Sequence, residues 1–199
     1  GFSAGHNLKE VRGLKKRDKY QKLFNLCSKV MLQIVEGRKP VIAKVHGAAF
    51  AAGCQLVASC DLAYSTKDAL FATPGVNIGL FCSTPMVAVS RKINRKPMMK
   101  MLLTGEPIKA NYAKEIGLIN NFYEIDELEK ETMDIASKIA NKSSVAVSTG
   151  KNAFYTQSDY DLAQAYDFTS KVMVENLLKD DAKEGIGAFL EKRKPNFKK

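Results

Sequence analysis

The most informative segment of this 199-residue chain reads His46-Gly-Ala-Ala-Phe-Ala-Ala-Gly-Cys-Gln-Leu56. It follows a short apolar run, Val41-Ile-Ala-Lys-Val45, and continues into Val57-Ala-Ser-Cys-Asp61. This order predicts a buried strand, a turn of small residues and the first turn of a helix. Because Ala52 and Gly53 carry almost no side chain, another molecule can approach the backbone and meet the free N–H groups of the helix. The segment predicts an anion hole, although such turns also form simply to let a helix pack on its strand.

A second segment, Phe2-Ser-Ala-Gly-His-Asn-Leu-Lys-Glu10, has the same design. Small residues surround Gly5, and a polar, helix-forming run follows. Two backbone N–H groups from two separate turns can hold one thioester oxygen, the arrangement that stabilises an enolate. The pair of turns favours a ligand-binding role over a purely packing role.

Three further segments complete a pattern that covers nearly the whole chain. They are Leu70-Phe-Ala-Thr-Pro-Gly-Val-Asn-Ile-Gly-Leu80, Leu103-Thr-Gly-Glu-Pro-Ile108 with Ala113-Lys-Glu-Ile-Gly-Leu-Ile119, and Glu184-Gly-Ile-Gly-Ala-Phe-Leu-Glu-Lys-Arg-Lys-Pro195. In this order, with the two glycine turns, they resemble the crotonase superfamily, the enoyl-CoA hydratases and isomerases. The stretch from Ser3 to Lys9 and the C-terminal segment most resemble one subgroup of it. The resemblance implies an α/β fold, a crotonase-like spiral of β-β-α units with a C-terminal helical trimerisation region.

The composition is that of an ordinary soluble globular protein, with 45% hydrophobic and 26% charged residues. No apolar run approaches the ~20 residues that cross a bilayer, so no membrane span is expected. The net charge of +10 is spread along the chain, and no base-reading module is present, so we expect a surface suited to CoA phosphates and no nucleic-acid partner. The four cysteines lack metal-ligand spacing. We therefore expect no metal. The resemblance implies no cofactor and a coenzyme A thioester bound as substrate.

The patterns predict two regions, residues 1–125 as the spiral core and residues 126–199 as a C-terminal helical region. The chain lacks an initiating Met and opens inside a motif, so the family's N-terminal strands are expected to be missing from it. Their loss would leave a sheet edge and part of the acyl pocket uncovered. The resemblance implies a cytoplasmic protein in a bacterium or a mitochondrial one in a eukaryote.

Hydrophobic periodicity and turn residues predict the individual elements. Helices are predicted at Tyr20–Glu36, Ala52–Ser59, Thr84–Ile93, Lys96–Leu103, Asn111–Glu115, Asp126–Asn141, Ser144–Tyr155, Ser158–Leu178 and Asp181–Lys192, and strands at Pro40–Val45, Asp61–Ser65, Leu70–Thr73 and Leu118–Glu124. The predicted helix N-caps are Asp126, Ser144, Ser158 and Asp181. The apolar stripe of the first helix is interpreted as core, and the basic run from Arg12 to Lys19 as a mobile loop or helix start.

The resemblance assigns the oxyanion N–H groups to His6 and Ala52, with Gly5 and Gly53 shaping the turns. The His6 imidazole could narrow the pocket or turn away to solvent. The substrate-binding positions carried over from the family are Ser3, Ala4, Gly5, Leu8, Lys9, Gly53, Pro74 and Lys192.

The two glutamates of true hydratases match Gln55 and Gly75. An amide cannot take up a proton near neutral pH, and glycine has no side chain. Replacing both by Glu should restore hydration, provided that Gly75 does not need a positive φ. Other candidate bases, none at a motif position, are Asp68, His46 and Tyr64.

Three functions stay open at this point. The first is a hydratase or isomerase that has lost most of its activity or uses another base. The second is a decarboxylase of malonyl-type CoA thioesters, which needs the oxyanion hole and a polar clamp from Gln55, Thr73 or Ser83 but no base. The third is a non-catalytic acyl-CoA binder or assembly subunit.

The C-terminal region carries apolar residues suited to the family's homotrimer, or to a dimer of trimers. They are Met173, Leu177, Leu178, Ile186, Phe189 and Leu190. Equally, they could cover the chain's own core. The basic residues Lys192, Arg193 and Lys194 could reach the CoA moiety or form a solvated helix end.

Overall fold

The structure is a computed structural model that describes residues 1–197. Two compact units are present. The first comprises Gly1–Val35 and Val41–Met133, and the second comprises Glu36–Pro40 and the described chain from Asp134 onward. The domain boundary after residue 125 stays a prediction.

Six short strands form two three-stranded sheets in the first unit. They are β1 (Ile42–Val45), β2 (Ala49–Phe50), β3 (Leu62–Thr66), β4 (Leu70–Ala72), β5 (Ile108–Lys109) and β6 (Asn121–Tyr123). One sheet has the order β1-β3-β6 and is entirely parallel. The other has the order β2-β4-β5, with β2 parallel and β5 antiparallel to β4. Parallel pairing places the carboxyl ends of β2 and β4 at the same edge.

Helices connect and cover these strands, which gives an α/β architecture. The α-helices are α1 (Leu8–Leu14), α2 (Arg17–Glu36), α3 (Ala52–Ser59), α4 (Ser83–Val89), α5 (Arg95–Thr104), α6 (Ala110–Glu115), α7 (Leu128–Ala140), α8 (Ser144–Gln157), α9 (Leu162–Leu177) and α10 (Asp180–Leu190), with a 3₁₀ helix at Pro74–Ile78. Within residues 1–197, no helix combines the length and the apolar character that a membrane crossing requires.

The core of the first unit lies where α3, α4 and α5 meet the strands. Its largest fully buried side chains include Val45, Val57, Phe71, Val89 and Met101. Val45 and Phe71 lie in strands and Met101 lies in a helix, which agrees with their conformational preferences. Val57 and Val89 lie in α3 and α4, where packing outweighs the strand preference of valine. This core positions the start of α3 and the end of β4 against each other.

Helix α2 confirms the predicted amphipathic helix and its end at Glu36, but its interpretation as core is wrong. No residue of α2 is buried, and Val30 is exposed. The spacing of apolar residues defines one face of the helix, but neighbouring elements decide how much of that face is covered. Ile34, on this face, packs against the core cluster. The basic run from Arg12 to Lys19 spans the end of α1 and the start of α2.

Three of the four predicted N-caps are displaced by one to three residues. Ser143, not Ser144, caps α8, since its Oγ accepts the Ala146 N–H at 3.0 Å. Asp161, not Ser158, caps α9 by accepting the Gln164 N–H at 2.9 Å. A capping side chain must reach an N–H two or three residues onward.

The displaced cap residues have other partners. Ser158 donates to the Phe154 carbonyl at 2.7 Å, which extends α8. Asp181 lies inside α10, whose N-cap is Lys179, and its carboxylate accepts a hydrogen bond from the Ser143 hydroxyl. Helix α7 begins at Leu128, two residues after the predicted start at Asp126. Strands β2 and β5 and the 3₁₀ helix were not predicted, because two-residue strands and tight turns carry too little periodicity.

Candidate functional site

The first glycine-containing turn connects β2 to α3 through a strained residue. Ala51 has φ 50° and ψ −117°, a conformation that alanine adopts only when its surroundings enforce it. Its N–H donates to the Ala72 carbonyl at 3.0 Å, so β4 holds the turn in place. No side chain caps α3, and its first N–H groups are therefore available to another molecule.

The second turn lies directly against the first. The N–H groups of Phe2 and Ser3 both donate to the Ala48 carbonyl at 2.9 Å, and the Phe50 N–H donates to the Ser3 carbonyl at 2.8 Å. A Cβ on Gly53 would lie 2.3 Å from the Ser3 carbonyl oxygen, a distance that excludes any side chain. The two segments thus form one structure, Ser3–His6 with Ala51–Gly53, which we call the cradle.

Gly5 brings the two predicted donors together. It has φ 90°, and a Cβ at this position would lie 3.1 Å from the Ala52 nitrogen. Within residues 1–197, the backbone N–H groups of His6 and Ala52 donate to no protein acceptor. The His6 ring packs edge-on against Phe24 of α2, with centroids 5.5 Å apart, and is half-buried rather than turned to solvent. The cradle therefore presents two neighbouring free donors.

Gln55 lies on α3, one turn after the cradle, and is only 4% exposed. Its Oε1 lies 3.9 Å from the Cys27 Sγ of α2, a weak thiol contact. Burial raises the pKa of Cys27, which keeps the thiol protonated. Neither group can act as a general base at neutral pH.

Gly75 lies in the 3₁₀ helix and is buried. Its φ is not positive, so the backbone conformation at this position allows a side chain. Its N–H donates to the Cys82 Sγ at 3.3 Å, and a Cβ would lie 3.0 Å from that sulfur. Space, rather than backbone conformation, restricts this position. The sequence carries no signal for the Cys82 contact, since a loop separates the two residues.

The other three candidate bases, Asp68, His46 and Tyr64, are not suited to act as a base in the cradle. Asp68 and His46 are both exposed. Tyr64 is buried, and its pKa is raised by burial and then by Tyr123, so it stays a neutral phenol. Among residues 1–197, no Asp or Glu side chain is buried.

The proposed carboxylate clamp is also not preformed. Thr73 is fully buried, and its Oγ1 has no hydrogen-bond partner within residues 1–197. Ser83 is exposed, and its hydroxyl donates to the Phe81 carbonyl at 3.3 Å. The Thr73 hydroxyl is therefore enclosed by protein, and the Ser83 hydroxyl already has a backbone acceptor.

The remaining predicted contacts divide between the two units. Ser3 accepts the Gly5 N–H through its hydroxyl at 3.3 Å, while Ala4, Leu8 and Lys9 are exposed beside the second turn. Pro74 opens the 3₁₀ helix. Lys192 belongs to the second unit, where it is exposed with φ 56°.

Arg193, next to Lys192, already has acidic partners. Its guanidinium donates to both carboxylate oxygens of Glu184, at 2.7 and 2.9 Å, and to Glu191 at 2.5 Å. The Arg193 hydrogen bonds, followed by the Asn196 N–H, lower the pKa of Glu184 to about 2. The charge of Arg193 is therefore largely neutralised within its own unit.

The apolar residues of α9 and α10 do not cover the core of the second unit. Met173, Leu177, Leu178, Ile186, Phe189 and Leu190 are all exposed. Phe189 is 81% exposed, which is unusual for a large aromatic side chain in a group of apolar neighbours. Of the two alternatives for these residues, coverage of the chain's own core is wrong.

Comparison with known proteins shows what this arrangement is similar to. The family model described as enoyl-CoA hydratase/isomerase matches residues 1–199. The human enoyl-CoA hydratase domain-containing protein 3, mitochondrial, is 54% identical over 194 residues, which are 98% of this chain and 64% of that protein. The enoyl-CoA hydratase, mitochondrial, of Pongo abelii is 34% identical over 99% of this chain and 67% of its own length. The chain thus spans a little under two thirds of the human relative.

Solved structures agree with the fold. The crystal structure of human enoyl-CoA hydratase domain-containing protein 3 superposes with a TM-score of 0.96 and 53% identity, over 98% of this chain and 78% of that one. The crystal structure of an enoyl-CoA hydratase from Mycobacterium smegmatis superposes with a TM-score of 0.96 and 49% identity, over 98% of this chain and 76% of that one. The subgroup indicated by the sequence is that of domain-containing protein 3, and both this and the crotonase-like α/β fold are confirmed. The chain belongs to the enoyl-CoA hydratase/isomerase family.

Proposed function

We propose that this protein binds an acyl-CoA thioester at the cradle, with the thioester oxygen accepting hydrogen bonds from the N–H groups of His6 and Ala52. One observation carries the proposal. Two backbone donors without a protein acceptor lie side by side, in turns where Gly5 and Gly53 leave no side chain in the way. Such preorganised donors stabilise an oxyanion or enolate because they need no reorganisation when charge develops.

The residues around the cradle favour slow hydration or isomerisation. Hydration of an enoyl-CoA needs one group to activate water and another to handle the proton at the α-carbon. Gln55 and the backbone at Gly75 offer neither. We therefore propose an acyl-CoA-binding member of the family with impaired hydratase activity, acting in fatty-acid and CoA-thioester metabolism.

A second candidate function is a non-catalytic acyl-CoA binder or assembly subunit. The absence of any buried carboxylate among residues 1–197 favours it, because general acid–base catalysis relies on such groups in a cleft. The assays in the Discussion also test decarboxylation of a malonyl-type thioester, because that reaction requires the two donors and no base.

Calorimetry with a matched pair of ligands tests the binding proposal. Butyryl-CoA should bind the full-length protein measurably at millimolar concentration. Its thioether analogue, S-butyl-CoA, lacks the carbonyl oxygen and should bind about 5- to 150-fold more weakly, because two hydrogen bonds contribute about 0.5–1.5 kcal/mol each. Free CoA serves as the reference for the nucleotide portion. Equal affinities for thioester and thioether would show that the oxygen is not held, and no binding of any acyl-CoA would refute the proposal.

We further propose a homotrimer, or a dimer of trimers, assembled through the exposed apolar residues of α9 and α10. Light scattering of the full-length protein at micromolar concentration should give three or six times the mass of one chain. Phe189→Asp should shift this mass toward the monomer, since a charge cannot be buried unpaired. Ile125→Asp, at another exposed apolar residue, is the control and should leave the mass unchanged. A monomeric wild type would contradict this assembly.

We also propose a mitochondrial location. The support is that several relatives, among them the human protein, are known as mitochondrial proteins.

A further inference from the structure

A short segment of chain is folded directly over Gly75. A Cβ built on this glycine would lie 3.0 Å from the Cys82 Sγ, 3.0 Å from the Leu80 carbonyl oxygen and 3.1 Å from the Cys82 nitrogen. Side chains in close-packed interiors rarely approach so closely, and overpacking is destabilising. The segment Leu80–Cys82, which we call the cover, would therefore have to shift by a few tenths of an ångström to admit a side chain at residue 75.

The cover is held at both ends. At the first end, the Leu80 N–H donates to the Gly75 carbonyl at 2.9 Å and the Gly79 N–H to the Val76 carbonyl at 3.3 Å. With Gly79 at φ 74°, this is the bonding pattern of a glycine-terminated helix end. At the other end, the Cys82 carbonyl accepts the Met86 N–H at 2.9 Å and starts α4. The cover is thus part of the fold, not a loose loop.

The chemistry of Cys82 suits this position. Its side chain is 7% exposed, and its sulfur accepts the Gly75 N–H at 3.3 Å. Burial raises the pKa of Cys82, with the Gly75 N–H acting in the opposite direction. The thiol is neutral at physiological pH and acts by filling space, not as a nucleophile.

Sheet pairing places the covered position beside the cradle. Strands β2 and β4 are parallel, with Phe50 opposite Ala72, so the residues that follow each strand meet at one edge. The turn at Ala51 and the 3₁₀ helix containing Gly75 are those residues, and the Ala51 N–H is bonded to Ala72. The cover therefore lies against a residue at the same edge of the sheet as the cradle.

We propose that Cys82 is a specificity-determining residue whose thiol, through the cover, keeps a second acid–base side chain out of the cradle. Glycine is the residue that fits position 75 without displacing the cover, and the chemistry then available uses the two backbone donors and Gln55. The inference rests on the proposed function insofar as residue 75 is taken to face the acyl ligand. The steric part of it is independent of any activity.

A stability cycle tests the steric part. Gly75→Ala should lower the Tm by about 4–8 °C when Cys82 is present. In a Cys82→Ala background the same substitution should lower it by no more than half as much, since the Leu80 oxygen remains close. Gly13→Ala, where a Cβ meets nothing within 4 Å, is the control and should not lower the Tm. An equal loss in both backgrounds, or a Gly75→Ala variant as stable as Gly13→Ala, would overturn the proposal.

Hydration assays test the functional part. Gln55→Glu with Gly75→Glu should hydrate crotonyl-CoA at least ~10-fold faster in a Cys82→Ala background than with Cys82 present. Equal rates in the two backgrounds, including no hydration in either, would overturn the exclusion role. The butyryl-CoA affinity of each variant separates the two proposals. If the stability cycle gives the expected result but no variant binds acyl-CoA, wild type included, the proposed function is rejected and the steric role of Cys82 stands.

Discussion

Crotonyl-CoA should be hydrated by the wild-type protein at least ~10³-fold more slowly than by a relative with two glutamates, because each positioned acid or base contributes ~10² to 10⁴ in rate. Gln55 cannot take up a proton, and Gly75 is buried under Cys82. The two backbone donors should still retain some enolate stabilisation, since losing one such donor typically reduces kcat by ~10² to 10³. The expected result is thus a weak activity above the uncatalysed rate.

A single assay panel decides among the functions left open. It compares wild type with the Gln55→Glu, Gly75→Glu double variant on crotonyl-CoA and on malonyl-CoA. The two-glutamate enzyme from a relative is the positive control. Hydration by the wild type at a normal enzymatic rate would contradict the roles given to Gln55 and Gly75. Decarboxylation of malonyl-CoA would support the decarboxylase, and tight binding without turnover would support the non-catalytic acyl-CoA binder.

The structure changes one expectation for this panel. Residue types alone predict that the double variant regains hydration if φ at Gly75 permits a side chain. The φ permits it, but a Cβ would lie 3.0 Å from both the Cys82 sulfur and the Leu80 carbonyl oxygen, so a side chain must displace the cover. We expect the double variant to be slow while Cys82 is present and to become faster when Cys82 is shortened, because this removes one of the close contacts while the Leu80 oxygen remains.

Gly53→Ala should have the largest structural effect of any single methyl addition in the cradle. The new Cβ would lie 2.3 Å from the Ser3 carbonyl oxygen and 2.8 Å from the Ser3 Cβ, so the backbone itself must move. We expect a loss of about 3 kcal/mol of stability, or about 6–12 °C in Tm. Displacement of Ser3 should also separate His6 from Ala52 and lower butyryl-CoA affinity at least ~10-fold, because both oxyanion bonds depend on that spacing.

Gly150→Ala is the matched control for this substitution. Gly150 lies inside α8, and a Cβ there meets nothing within 4 Å. Alanine should stabilise the helix by about 0.5–1 kcal/mol and leave butyryl-CoA affinity unchanged. Thermal melts and calorimetry on both variants provide the measurement. A Gly53→Ala protein that melts like wild type would disprove the close approach, and one that melts early but binds normally would disprove the cradle assignment.

Local patterns were enough to predict much of the fold. Helix α3 has the predicted bounds, Ala52–Ser59, and α2 ends at Glu36 as predicted. Both follow from apolar spacing and from small or breaking residues at their ends, which act over a few residues of chain. The meeting of the two glycine turns was also predictable, because small residues in both segments allow two backbones to come close.

Only the tertiary structure decided which groups come into contact. Nothing in the sequence places Cys82 over Gly75, Cys27 beside Gln55, or Arg193 between two glutamates. It also decided that α2 contributes no buried residue and that Phe189 is exposed. Periodicity determines which side of a helix is apolar, whereas burial and close contact depend on packing between segments distant in the chain, and such packing leaves no local signal.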